Sequence, residues 1–147
     1  MTESKYIWMD GEFTPWNEAK VHVLSHTLHY GNGAIEGTKA YKTVDGRCAI
    51  FKLNEHTQRL LNSSKMTLMN VPFTLEELNK AQVELLQKNE LTNGAYIRPL
   101  VYLGYGVMGL YHKDAPVKVS ISAWEWGAYL GEEGLKKGVR VKISSFT

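Results

Sequence analysis

The sequence predicts an α+β fold: a hairpin-rich, mostly antiparallel sheet with two helices laid on one face. Three observations predict it. Asp10-Gly11 and Asp45-Gly46 each sit between short runs of strand-forming residues, and Asp-Gly favours tight turns whose twist matches the flanking strands. Two stretches with apolar residues at helical spacing follow one another between Asn54 and Gly94. Val117 to Ser122 alternates apolar and polar residues, as a strand with one wet face does. At 147 residues, 44% hydrophobic and 22% charged, the chain has the mix of a single globular domain able to bury a core.

Taken in order, Tyr6–Met9 and the strand opening at Glu12-Phe13 flank Asp10-Gly11 as a first hairpin. Trp16 to Lys20 reads as a polar connection. Gly37–Thr43 and Arg47–Phe51 flank Asp45-Gly46 as a second hairpin. Asn54 is an expected N-cap, after which Leu60, Leu61, Met66, Leu68 and Met69 recur at roughly helical spacing. Thr74-Leu75-Glu76-Glu77 has the form of a capping box, in which hydroxyl and carboxylate satisfy each other's backbone amides. The helix it opens places Leu75, Leu78, Val83, Leu85 and Leu86 mostly on one face, and Asn93-Gly94 is the expected stop. Strands follow at Ala95–Leu103, Val117–Ala123 and Val139–Ser145, with about one helical turn expected between Gly127 and Lys137.

A formal net charge of +2, with no Lys/Arg-rich run, gives no electrostatic footprint for nucleic acid. Met1 precedes polar residues rather than an apolar leader, and no window of 18 apolar residues occurs, so neither secretion nor a membrane span is expected. Cys48 is the single cysteine, which suits a reducing cytoplasm.

The segment from His22 to Tyr41 concentrates histidine, tyrosine, glycine and one glutamate, the composition of a site rather than a connector. His22, His26 and His29 stand at i, i+4 and i+7, which on a helix could hold zinc. With no acidic or cysteine ligand interleaved, bonding to the loop backbone is the favoured reading and no metal is expected. Gly104-Tyr-Gly106-Val-Met-Gly109 is a literal GxGxxG, but poor helical periodicity and Pro116 follow it. A glycine loop suits it better than a dinucleotide cradle. Arg59 reads either as a surface arginine of an amphipathic helix or as an anion ligand. Tyr96 and Arg98, two apart on one strand, share a face. Together they suit a carboxylate, and Arg98 is also expected to pair with a neighbouring acid, Glu36 being the candidate.

These residues carry a resemblance. His29-Tyr30-Gly31, Glu36-Gly37, Ala40-Tyr41, His56-x-x-Arg59-Leu60 and Trp126-Gly127-Ala128-Tyr129-Leu130 resemble the signature of branched-chain amino acid aminotransferases. Those are pyridoxal-phosphate (PLP) enzymes of fold type IV, and the resemblance covers the N-terminal half of such an enzyme. It implies a small N-terminal domain over 1–135 and the start of an interdomain region at 136–147. It implies PLP as cofactor, with Arg59 binding its phosphate, and branched-chain amino acids, 2-oxo acids and glutamate as substrates. Ile35, Gly37, Tyr96, Arg98 and Tyr129 would shape the substrate pocket, while Tyr30 and Leu110 would reach a pocket across the dimer interface of a homodimer or higher homo-oligomer. The family usually has an aromatic residue where Ile35 stands, so a wider apolar pocket is expected. The Schiff-base lysine has no counterpart among the lysines of this chain and is expected beyond Thr147, so no catalytic residue is assigned and the segment alone is expected to be inactive. Alternatives are a D-amino acid aminotransferase or aminodeoxychorismate lyase, against which Tyr96, Arg98 and the WGAYL run argue, or a folding and dimerisation module.

Overall fold

The computed structural model of the chain describes residues 2–126 and 131–145. Strands β1 (Tyr6–Met9) and β2 (Glu12–Pro15) meet at Asp10-Gly11, whose φ angles of 50° and 105° make the expected two-residue turn. A 3-10 turn at Trp16–Glu18 occupies the stretch expected to be a plain connection. Helix α1 (His26–Tyr30) lies within the glycine-rich segment and is closed by Gly31 at φ 75°, whose N–H bonds Thr27 O at 2.9 Å. Strands β3 (Gly33–Ile35), β4 (Thr38–Lys42) and β5 (Cys48–Ile50) follow.

The second Asp-Gly pair does not make a two-residue turn. Lys42 pairs with Cys48, so residues 43–47 form the loop, and only Gly46 takes positive φ (85°). The Asp45 carboxylate explains the difference. It accepts from the Thr43 hydroxyl, the Arg47 backbone N–H and Arg47 Nε, stabilising a wider loop from within.

Helix α2 (Leu53–Met66) starts one residue before the expected cap. Lys52 at φ 52° precedes it, and Asn54 sits in the first turn, where its Oδ1 accepts from Asn79 Nδ2 at 2.6 Å. Leu68 falls outside the helix and is exposed, whereas Met69 turns back into the core. Helix α3 (Leu75–Lys88) opens with the predicted capping box: Glu77 N–H donates to Thr74 Oγ1 at 3.2 Å, and Thr74 N–H donates to Glu77 Oε2 at 2.7 Å. It ends at Asn89, before the Asn93-Gly94 stop the sequence suggests. Asn89 Oδ1 accepts from the N–H groups of Lys5 and Tyr6, and its Nδ2 donates to Tyr6 O, so the helix end is fastened to β1.

Strands β6 (Gly94–Leu103) and β7 (Val117–Trp124) form the centre. Among the described residues, seven strands make one sheet in the order β2-β1-β7-β6-β4-β5, with β3 also on β6. Every pairing is antiparallel. Helices α2 and α3 pack on one face, as expected, and Leu60, Met69, Leu78 and Leu85 meet Ile97, Val101, Val119 and Ile121 there with 1% exposure or less. Burying side chains of this size contributes about 1.5–3 kcal/mol each. Val83, expected on that face, is largely exposed, and Gln82 is buried instead, donating to Thr57 Oγ1 of α2 at 3.0 Å.

A final helix, α4 (Gly131–Lys137), is longer than the single turn expected. Val139–Ser145 is not a strand. Val141 and Ile143 are 84% and 91% exposed, and an alternating run stays a strand only against a partner. No helix of the described residues is long and apolar enough to cross a membrane.

Candidate active site

Strands β3 and β4 share one edge of β6, separated by Glu36-Gly37. Ile35 pairs with Leu100, Glu36 N–H bonds Pro99 O at 3.0 Å, and Thr38 pairs with Ile97. Because faces alternate along a strand, these pairings send successive side chains to opposite sides of the sheet. Glu36 points to the helix side. Gly37, Tyr96 and Arg98 belong to the open side.

On the helix side Glu36 is 6% exposed and is held by α2. Arg59 Nε donates to its Oε1, Arg59 Nη2 donates to Oε2 at 2.8 Å, and His56 Nδ1 lies 2.9 Å from Oε2. A carboxylate only accepts, so that His56 nitrogen carries the proton. Its 3.2 Å approach to Arg59 Nη2 is then contact rather than a hydrogen bond. Burial pushes the Glu36 carboxyl up, but the hydrogen bonds from Arg59 and His56, with their charge, outweigh it and hold it below the ordinary range. The same ion pair raises Arg59 further. Two of the five N–H bonds of the guanidinium meet Glu36, and Nη1 has no partner among the described residues. The Arg59 side chain is 65% exposed, so that outer edge faces solvent.

On the open side, Arg98 donates to the Tyr96 hydroxyl from Nε at 3.1 Å and from Nη2 at 2.7 Å. The Tyr96 ring stands edge-on to Trp126 at 4.6 Å between centroids and lies 5.3 Å from Trp124. Gly37 is required by this packing, since a Cβ there would lie 2.3 Å from the Tyr96 hydroxyl. The expected pairing of Arg98 with Glu36 does not occur. The two side chains leave the sheet on opposite faces, and Arg98 has no carboxylate partner among the described residues. Arg59 likewise stands apart from the Tyr96–Arg98 pair, with Glu36-Gly37 as the bridge between the two groups.

Above Arg98, the open face at Leu100, Tyr102 and Ser120 is covered by Val21–Leu28, leaving a cavity of about 110 Å³. Its floor keeps Tyr102 buried, which together with Asp10 raises that phenol. The glycine loop after β6 is fastened to the same cover. His26 is buried with Nε2 2.8 Å from Gly109 O, and Gly109 N–H donates to the Tyr30 hydroxyl at 3.1 Å. No helix follows Gly109 directly, so the GxGxxG run does not form a dinucleotide cradle. His22 accepts from Leu24 N–H and His29 meets Val23 O, so these histidines bond loop backbone. No group of three or more His, Cys, Asp or Glu positioned for a metal occurs among the described residues. Ile35 is exposed on the open face, and Leu110 is 88% exposed at the loop tip. Tyr129 lies outside the described residues.

Sequence reasoning did not single out His56 as a site residue. The signal was present, since positions i and i+3 of a helix share a face and His56 and Arg59 stand at that spacing.

The chain belongs to the class IV amino-transferases, whose family model matches residues 33–147. Within that class it is similar to branched-chain-amino-acid aminotransferases. It is 48% identical to the Pseudomonas aeruginosa enzyme over 141 residues, which is 96% of this chain and 45% of that protein. The crystal structure of the Escherichia coli branched-chain amino acid aminotransferase superposes with a TM-score of 0.91 at 42% identity, over 97% of this chain and 47% of that one. The Thermobaculum terrenum enzyme, solved in its PLP-bound holo form, superposes at 0.74 with 28% identity, over 88% of this chain and 42% of that one. The chain spans about half the length of the curated relatives it matches. The expected fold, the small-domain architecture of fold type IV, is the one observed.

Proposed function

We propose that this chain is the N-terminal portion of an aminotransferase that exchanges an amino group between leucine, isoleucine or valine and 2-oxoglutarate. Residues 1–135 would be its small domain, and 136–147 would lead toward a second domain. The observation that carries the reading is the open-face pair of Arg98 and Tyr96 beside apolar Ile35. One enzyme must accept an apolar branched side chain and a carboxylate in the same place. Ile35 supplies the apolar wall. Arg98, oriented by a tyrosine hydroxyl and not neutralised by a neighbouring acid among the described residues, supplies the charge. Gly37 keeps Tyr96 seated, and Tyr129 would complete the pocket.

The donor set of Arg59 fits a phosphate: a fork whose outer N–H bonds face solvent suits two parallel, charge-assisted contacts. Arg59 would therefore hold PLP through its phosphate. When bound, PLP would supply the carbonyl that takes up the amino group and the ring that serves as electron sink. None of the lysines in this chain stands where the resemblance requires the covalent attachment, so segment 1–147 alone is inferred to be inactive. Leu28 and Tyr30 on α1 and Leu110 and Tyr111 in the glycine loop are exposed large apolar side chains, and the Gly109–Tyr30 hydrogen bond joins the two segments. They support a homodimer in which Tyr30 and Leu110 would border the partner's pocket. Without a membrane-crossing helix among the described residues, and with a lone cysteine, a cytoplasmic enzyme fits.

Steady-state kinetics on the full-length protein carrying this segment test the reading. Arg98→Gln should raise KM for glutamate about tenfold or more, the scale of one lost charge-assisted bond, while moving that for leucine little. Equal losses for both substrates would place Arg98 at the shared α-carboxylate or in a structural role, and the dual-substrate reading would fail.

A further inference from the structure

We propose that Glu36 is a positioning residue that presents the outer edge of the Arg59 guanidinium to the cofactor phosphate. The inference rests on the reading of Arg59 as the phosphate ligand.

The geometry is specific. Glu36 is nearly buried at the break between β3 and β4, and its backbone is fixed to Pro99 by a 3.0 Å hydrogen bond. Both carboxylate oxygens are used: Oε1 by Arg59 Nε, and Oε2 by Arg59 Nη2 at 2.8 Å and His56 Nδ1 at 2.9 Å. A rigid acceptor thus grips one edge of a long, mostly exposed side chain and sets the plane of its fork. The opposite edge, Nη1 and the second Nη2 hydrogen, is turned to solvent. An exposed arginine without such a hold samples many rotamers and must be ordered each time an anion binds. His56 completes the arrangement by fixing Oε2, so the carboxylate cannot rotate away from the fork.

The same carboxylate also opposes anion binding, because it partly neutralises Arg59. The two effects predict opposite signs, and the burial of Glu36 decides between them. A buried carboxylate bound to three donors on α2 orders the fork strongly. The Arg59 side chain is 65% exposed, so the field of Glu36 at its outer edge is screened. Ordering should win.

The experiment is an equilibrium titration of the full-length protein with PLP and, separately, with pyridoxal, which lacks the phosphate. Glu36→Gln keeps the side chain's size and removes its charge. It should weaken PLP about tenfold while changing pyridoxal by less than about twofold. In an Arg59→Ala background the same substitution should change PLP affinity by less than about twofold, because the two residues act as one unit. Equal weakening of both ligands would mean a structural role and overturn the proposal. So would undiminished loss in the Arg59→Ala background, or tighter PLP binding by Glu36→Gln. If Arg59→Ala itself leaves the preference for PLP over pyridoxal unchanged, the phosphate assignment of Arg59 fails, and the proposal with it. If Arg59→Ala removes that preference and Glu36→Gln does not, only the positioning role fails. Should Glu36→Gln not fold, Glu36→Asp, which keeps the buried charge but shortens its reach, is read by the same comparison.

Discussion

At the scale of single residues, the site turns on the absence of one methyl group. Gly37 faces Tyr96 so closely that a Cβ would stand 2.3 Å from the hydroxyl and 3.1 Å from the ring carbon bearing it. The backbone there needs no left-handed angle, so the constraint is space alone. Gly37→Ala must displace the hydroxyl and with it both hydrogen bonds from Arg98. We expect a destabilisation of about 1–3 kcal/mol, the usual cost of overpacking. Adding Tyr96→Phe should relieve part of it, because the closest clashing atom is then gone. Urea denaturation of the two single variants and the double checks this. Additive losses would show that Gly37 and Tyr96 are independent.

At the scale of elements, α2 and α3 each meet the sheet through a polar fastening as well as through leucines. Asn89 at the end of α3 supplies three hydrogen bonds to β1 and the residue before it, more than 80 residues away in sequence. Asn89→Ala leaves two backbone N–H groups and one carbonyl there short of partners. The cost should be about 1–3 kcal/mol. A change below about 0.5 kcal/mol in a denaturant titration, the range of ordinary surface substitutions, would mean that water replaces the asparagine fully. Asn89 itself keeps αR angles, with its N–H on Leu85 O at 3.1 Å, and the left-handed φ of 57° at Glu90 is what ends α3.

At the scale of the molecule, the Glu36 ion pair ties α2 to the strand break and makes stability depend on acid. The folded-state pKa of Glu36 is depressed, so its contribution is full above the ordinary glutamate value, near 4.5, and is lost as pH falls from there through the lower folded value. Above that range it should not vary with pH. Chemical denaturation of wild type and Glu36→Gln across pH 7 to about 3 should therefore give curves that are separated at neutral pH and converge in acid. A constant gap across the whole range would mean that the carboxylate charge contributes nothing to folding. Asp45, Glu55, Glu77 and Glu90 are also depressed but lie at the surface, where solvent screens their pairs, so Glu36 should dominate the difference.

Local chemistry made much of this legible from the sequence. The Asp10-Gly11 hairpin, the Thr74 capping box and the alternation of β7 follow from turn angles, reciprocal capping and a period of two, none of which needs a distant partner. The motifs that carry the family resemblance were also legible, as were Tyr96 and Arg98 on one face. Wherever the outcome depended on what packs against a segment, the sequence was insufficient. Val139–Ser145 has the alternation of a strand but no described strand beside it, and Asp45-Gly46 has the letters of a tight turn but a carboxylate that stabilises a wider loop. The partner of Glu36 was the clearest such case. The sequence offered Arg98 as that partner, while Arg59 was read as a surface arginine or a phosphate ligand. Only the register that sets Glu36 opposite Pro99, one residue from Arg98, sends its carboxylate to the helix side, where Arg59 and His56 meet it.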